Sequence, residues 1–187
     1  MIDTGALRKG VTIEIDGNLY NIVDWEHNKT GRGGAKVRLK LRDVRAGHII
    51  EQTYDAGSKF QRARVERQPA QFLYTEGDIF YFMNRETYDQ IAMNRDRVGE
   101  AALYLKDNED CQVLTYGDEA ISVELPAAVV LEVSQTDPWV KGDTAQGGTK
   151  PARMQTGLSV NVPLFVNTGD KVKVDTRSGE YLERASQ

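Results

Sequence analysis

One arginine set among glycines, with a lysine on either side, is the arrangement in this chain best suited to gripping a polyanion. The stretch is Lys29-Thr30-Gly31-Arg32-Gly33-Gly34-Ala35-Lys36. A guanidinium is always charged and offers a flat fork of donors that fits phosphate oxygens. Glycines Gly31, Gly33 and Gly34 let the backbone approach another surface closely. The stretch is not a Walker phosphate loop, because no Gly-Lys-Ser/Thr opens a helix after it. A plainer reading stands beside the polyanion one: glycine-rich hairpin loops often only turn the chain.

Other chemistry is thinly represented. The two histidines, His27 and His48, are far apart in sequence. His27 adjoins the loop and suits either RNA contact or an exposed strand end. The single cysteine, Cys111, excludes an internal disulfide and sits in an apolar run that reads as core. No Cys/His metal spacing and no Gly-x-Ser-x-Gly elbow occurs. The acid pair Glu109-Asp110 falls in a polar turn, where solvation is the default. A binding protein therefore outranks an enzyme, and no cofactor or metal is expected.

Charge is distributed unevenly along the 187 residues, whose net formal charge is −4. Residues 1–64 hold 12 Lys/Arg against 8 Asp/Glu, residues 65–126 hold 5 against 13, and residues 127–187 hold 7 of each. One basic end and an acidic middle suit a molecule oriented by a polyanion. Lys36, Arg38, Lys40 and Arg42 alternate onto one side of a strand. Such a row repels itself unless something anionic lies across it, which favours nucleic acid; a solvated strand face is the alternative. No run of about 18 apolar residues spans a membrane. Met1-Ile2-Asp3-Thr4-Gly5 lacks a basic-then-apolar signal pattern, and with a single cysteine a cytoplasmic setting is expected.

The elements that must position the loop read as short strands. Leu19 to Trp25 and Val37 to Leu41 alternate apolar with polar and form the two sides of a hairpin. Val11 to Ile15 leads through the turn dipeptide Asp16-Gly17, and His48 to Tyr54 follows the Arg45-Ala46-Gly47 turn. Residues 1–64 thus form a small barrel. In residues 65–126, Phe72-Leu73-Tyr74 and Ile79 to Met83 flank Glu76-Gly77-Asp78. The aromatics suit core packing or a base-stacking platform. Arg85 to Met93 suits a short helix capped by Asn84, with another turn or two from Val98 to Leu105. Val113 to Tyr116, Gly117-Asp118 and Ile121 to Leu125 close the unit, and Pro126 marks a boundary. In residues 127–187, Val129 to Val133 precedes about 20 residues without periodicity, Thr136 to Gln155, a length usually functional or disordered. Strand alternation resumes at Val160 to Val166, and turns at Asn167-Thr168-Gly169 and Arg177-Ser178-Gly179 follow. Both later segments suit five-stranded oligonucleotide-binding barrels.

Lys150-x-Ala152, then Gly157, Val160-x-Val162-Pro163, Val166 and Gly169 resembles the signature of bacterial elongation factor P. Gly142-Asp143-Thr144, Asp175 to Tyr181 and the Lys29-x-Gly31-Arg32-Gly33-x-Ala35 loop are similar to that family too. The resemblance runs end to end. It implies an all-β fold of three small barrels in an L shape like tRNA: an SH3/KOW-like barrel over 1–64, then oligonucleotide-binding barrels over 65–126 and 127–187. It implies binding to the 70S ribosome between the peptidyl and exit sites and relief of stalling at consecutive prolines. Arg32 would meet the CCA end of peptidyl-tRNA, supported by Lys29, Gly31, Gly33 and Gly34. Gly142, Asp143 and Thr144 would touch the exit-site mRNA codon, and Tyr181 and Arg184 the small-subunit side. Many members carry a modified lysine at the tip; this chain has Arg32, which a loop-modifying enzyme could rhamnosylate or which works bare. The alternatives are the elongation-factor-P-like paralogue, against which Gly142-Asp143-Thr144 argues, a general RNA-binding KOW/oligonucleotide-binding protein, and an enzyme whose site the residue patterns do not reveal.

Overall fold

A computed structural model describes residues 1–29, 34–138 and 148–185. The chain folds into three antiparallel sheets. The first contains β1 (Ile2–Asp3), β2 (Thr12–Ile15), β3 (Asn18–Lys29), β4 (Ala35–Asp43), β5 (Ile49–Asp55) and β6 (Lys59–Arg62), in the order β1-β6-β2-β3-β4-β5. The second contains β7 (Glu66–Glu76), β8 (Ile79–Asn84), β9 (Gln90–Asn94), β10 (Asp110–Tyr116) and β11 (Glu119–Glu124), in the order β11-β10-β7-β8-β9. The third contains β12 (Ala128–Thr136), β13 (Thr149–Met154), β14 (Ser159–Pro163), β15 (Lys171–Asp175) and β16 (Tyr181–Arg184), in the order β14-β13-β12-β15-β16. By contact density the chain divides into two compact units, 1–68 with 113–122, and 69–112 with 123–187.

Alternation explains the first sheet. Val37, Leu39 and Leu41 of β4 are fully buried with Leu7, Ile13 and Ile22, while Lys36, Arg38, Lys40 and Arg42 stay exposed. Each such aliphatic side chain, buried, contributes about 1.5–3 kcal/mol. The β2–β3 turn requires left-handed backbone at both central residues, and Asp16 and Gly17 take φ of 50° and 78°. In the same unit Leu19 and Ala63 pack with Leu114 and Ile121, and Arg45 Nη2 lies 3.2 Å from the Glu119 carboxylate. The second sheet's aromatics split: Phe72, Phe80 and Phe82 are buried, with ring centroids 5.5–5.8 Å apart. Tyr74 and Tyr81 stack outward at 4.8 Å.

Two expectations fail here. Residues 85–93 are not a helix: Asn84 is followed by a turn, and Gln90–Asn94 is strand β9. Asn84 does cap, since its Oδ1 accepts from the Glu86 and Thr87 amides at 2.8 and 3.0 Å, but the capped element is that turn. The helical residues come later, as α1 (Arg95–Val98) and a 3-10 turn (Gly99–Leu103). Nor is 136–155 structureless throughout, because β13 pairs with both β12 and β14. No helix among the described residues is long and apolar enough to cross a membrane.

Candidate nucleic-acid interface

The residues on either side of the glycine-rich stretch are firmly held in the first sheet. β3 and β4 remain paired to Lys29 opposite Ala35. β5 supports the arm almost as far, with Lys36 opposite Asp55 and the Ala56 amide donating to the Ala35 carbonyl at 2.8 Å. Backbone ladders on both sides of β4 therefore fix its direction up to the loop. Gly34 has φ of 80°, and a Cβ there would meet nothing within 4 Å, so conformation and not space calls for glycine. Thr30, Gly31, Arg32 and Gly33 lie outside the described residues. Trp25 and His27 flank the arm with rings edge to face at 4.9 Å, and His27 is exposed.

The cationic row on β4 is where expected, but its counter-charge is the protein's own. Asp24 stands opposite Lys40 and Glu26 opposite Arg38 on the β3 side. Glu51 stands opposite Lys40 and Asp55 opposite Lys36 on the β5 side. Lys36 Nζ lies 3.0 Å from Asp55 Oδ1, and Arg38 pairs with Glu51. Lys9 Nζ lies 2.9 Å from Asp24. That lysine's hydrogen bond, with the Trp25 amide next, holds the Asp24 carboxyl below the usual carboxylate range. Asp24, Trp25, Glu26, Arg38, Lys40 and Glu51 together line a shallow depression. Lys36 and Arg38 are thus countered within the sheet, by acids on a neighbouring strand whose positions depend on register. Arg42 stands opposite Asn21 and Ile49.

Gly142, Asp143 and Thr144 lie outside the described residues, but Asp137 and Lys150, on either side of them in the chain, are described. Lys150, only 7% exposed, donates from Nζ to the Asp137 carbonyl at 2.6 Å. Thr136 Oγ1 donates to the Pro151 carbonyl at 3.0 Å. Gly148 abuts Leu164, whose Cδ1 would sit 3.0 Å from an added Cβ. Lys150 entered the sequence reading only through its spacing; a lysine at an inward strand position was the signal for this role.

Tyr181 and Arg184, three apart, should face opposite ways on a regular strand. A bulge in β16 changes that, leaving Tyr181 opposite Val174 and Arg184 opposite Val172, both buried. Tyr181 packs on the third-sheet core, and burial raises its hydroxyl pKa. Arg184 Nη2 lies 3.1 Å from Asp170 Oδ1. Among the described residues no group of three His, Cys, Asp or Glu side chains gathers as a metal site.

Comparison with known proteins accounts for the chain from end to end. Residues 3–60 match the elongation factor P KOW-like domain, 65–123 its OB domain, and 129–184 the elongation factor P C-terminal family. Elongation factor P of Moorella thermoacetica is 51% identical over 185 residues, covering 99% of this chain and 100% of that protein. That of Thermoanaerobacter sp. is 51% identical over 184 residues, covering 98% and 100%. Among solved structures, a eukaryotic translation initiation factor 5A from Methanococcus jannaschii superposes with a TM-score of 0.52 at 24% identity, covering 67% of this chain and 90% of that one. This likeness speaks to fold alone. A KOW-like domain, an OB domain and the family's C-terminal domain, matched in order along the full chain at half identity, show that the chain belongs to the elongation factor P family of bacterial translation factors.

Proposed function

We propose that this translation factor binds the 70S ribosome between the peptidyl and exit sites and speeds peptide-bond formation at consecutive prolines. In this reading its barrels run over 1–64, 65–126 and 127–187. The Arg32 loop lies along the CCA end of peptidyl-tRNA, with Lys29, Gly31, Gly33 and Gly34 shaping it. Gly142, Asp143 and Thr144 contact the exit-site mRNA codon, and Tyr181 and Arg184 meet the small-subunit side. The protein works in the cytoplasm. The observation that carries the reading is the loop's base, held by backbone pairing on two flanks of β4 within a chain matched end to end by one translation-factor family.

The mechanism is positional. Proline lacks an amide N–H and its ring fixes φ, so it is an awkwardly placed partner in peptide transfer. Holding the peptidyl-tRNA end in reactive geometry lowers the barrier by removing orientational freedom, an effect worth several kcal/mol (up to about 7–11 in well-oriented systems). The factor supplies neither acid, base nor nucleophile; ribosomal RNA makes the bond. Arg32 grips the CCA backbone through its guanidinium fork, bare or extended by a modifying enzyme. The test is a reconstituted ribosome comparing dipeptide and triproline formation with and without the protein. Selective acceleration of triproline synthesis supports the reading; equal or no acceleration contradicts it. Intact mass of the protein from its native host distinguishes a modified Arg32 from a bare one.

A further inference from the structure

We propose that Glu51 and Asp55 on β5, with Asp24 and Glu26 on β3, are specificity residues: built-in counter-ions that keep the β4 face from taking RNA and confine cationic contact to the loop. The proposal rests on the loop being the RNA contact for its biological meaning, while its electrostatics stand on the pairs themselves. Four cations, Lys36, Arg38, Lys40 and Arg42, occupy one exposed face. Four carboxylates on the two adjoining strands stand opposite three of them: Asp55 opposite Lys36, Glu26 opposite Arg38, and Asp24 and Glu51 opposite Lys40, with Asp24 also bonded to Lys9, while Arg42 faces Asn21 and Ile49. Lys36 is held by Asp55 at 3.0 Å and Arg38 by Glu51.

Nonspecific affinity for RNA comes mostly from counter-ions released when phosphates are neutralised by lysine and arginine. A cation already neutralised by a tethered carboxylate, as Lys36 and Arg38 are, contributes little to that release. A phosphate must also displace a carboxylate whose effective concentration is set by its attachment next door, in the millimolar range or above. These pairs are exposed and contribute little to stability. Their side chains remain between 43% and 79% accessible. Their consequence is selectivity: a face of strands this basic otherwise coats any RNA. The bulge in β3 at Val23 supports the same conclusion, since it turns Asp24 and Glu26 onto the cationic face.

The experiment uses the full chain and a fluorescein-labelled single-stranded RNA of unrelated sequence, with no ribosome. Binding is followed by anisotropy from about 50 to about 300 mM KCl. Glu51→Gln/Asp55→Asn is compared with Glu86→Gln/Asp107→Asn, which makes the same charge change at exposed positions elsewhere. The first variant should bind about tenfold tighter at about 100 mM salt, with a slope of log K against log salt steeper by about 1.4 for two freed cations. The gain should vanish when Lys36→Gln and Arg38→Gln are added. Equal affinity and slope for wild type and Glu51→Gln/Asp55→Asn would overturn the proposal. So would an equal gain in the control pair, or a gain that survives loss of Lys36 and Arg38. Asp55→Asn alone, with half the slope change, keeps the test open if the double variant melts early. Because no translation is measured, failure here leaves the polyproline reading standing, and the reverse also holds.

Discussion

Asp24 stands opposite Lys40, and it does so because β3 carries one residue more than its partner strand between Ile22 and Asp24. Ile22 faces inward opposite Leu41. Strict alternation would then put Asp24 opposite Leu39 in the core. The bulge instead turns Trp25 onto the core opposite Leu39, with the exposed His27 following it on that side opposite Val37, and gives the other face to Asp24 and Glu26. One extra backbone unit thus sets both the apolar support of the arm and its charge pattern.

Deleting Val23 should therefore keep both faces. Ile22 and Asp24 become neighbours, and ordinary alternation still sets Asp24 opposite Lys40 and Trp25 opposite Leu39. The loss is then that of one half-buried side chain and of the bulge's local twist. Urea denaturation should show about 1 kcal/mol for the deletion, close to that for Val23→Ala. A loss of more than about 3 kcal/mol for the deletion alone would show that the twist of the bulge, and not the pairing on either side of it, holds the arm.

Lys150 gives a second prediction. Lys150→Ala removes a buried four-carbon stem and leaves a void, for a loss of about 2–4 kcal/mol. Lys150→Met keeps the stem and removes the charge. The charge-assisted bond to Asp137, worth about 1.5–3 kcal/mol, is then offset by no longer desolvating an ammonium, so the net change should stay within about 1 kcal/mol. Chemical melts of both variants check this ordering. A methionine variant as unstable as the alanine one would mean that the hydrogen bond, not the stem, dominates.

Cys111 is buried, and that burial, with Asp110 and Glu109 adding to it, pushes its thiol from 9.0 up to about 12. At pH 8 the folded chain should react with iodoacetamide about a thousandfold more slowly than the urea-unfolded chain, on thiolate fraction alone. The same shift links stability to pH. Above about pH 9 the unfolded thiol ionises while the folded one keeps its proton, so stability is full below pH 9 and falls up to about pH 12. Cys111→Ala should flatten that part of the profile; an unchanged slope would place the titration elsewhere.

Strand identity and turn positions were legible because alternation and glycine turns are local. Asp16-Gly17, Gly77, Gly117 and Gly169 all take positive φ at the turns expected of them. β13 was missed because its inward positions begin with Lys150 and its third residue is Pro151, which together break the apolar signal. Residues 85–93 read as helical because Asn84 gives a genuine capping signal. The chain then leaves the helical region at Tyr88, with φ of 63°, and Ile91 and Met93 alternate as strand. Bulges were invisible, and they decide faces. That is why the carboxylates opposite Lys40 and Arg38, and the shared face of Tyr181 and Arg184, had to await register.

The central claim is that a cation at the loop tip positions the substrate. The direct measurement is the single-turnover rate of triproline synthesis with wild type, Arg32→Ala and no factor, alongside a proline-free tripeptide. Arg32→Ala should fall about 10- to 100-fold toward the factor-free rate, the loss of roughly 1.4–2.8 kcal/mol of transition-state stabilisation, with proline-free synthesis unaffected. Triproline rates for Arg32→Ala equal to wild type would contradict the account.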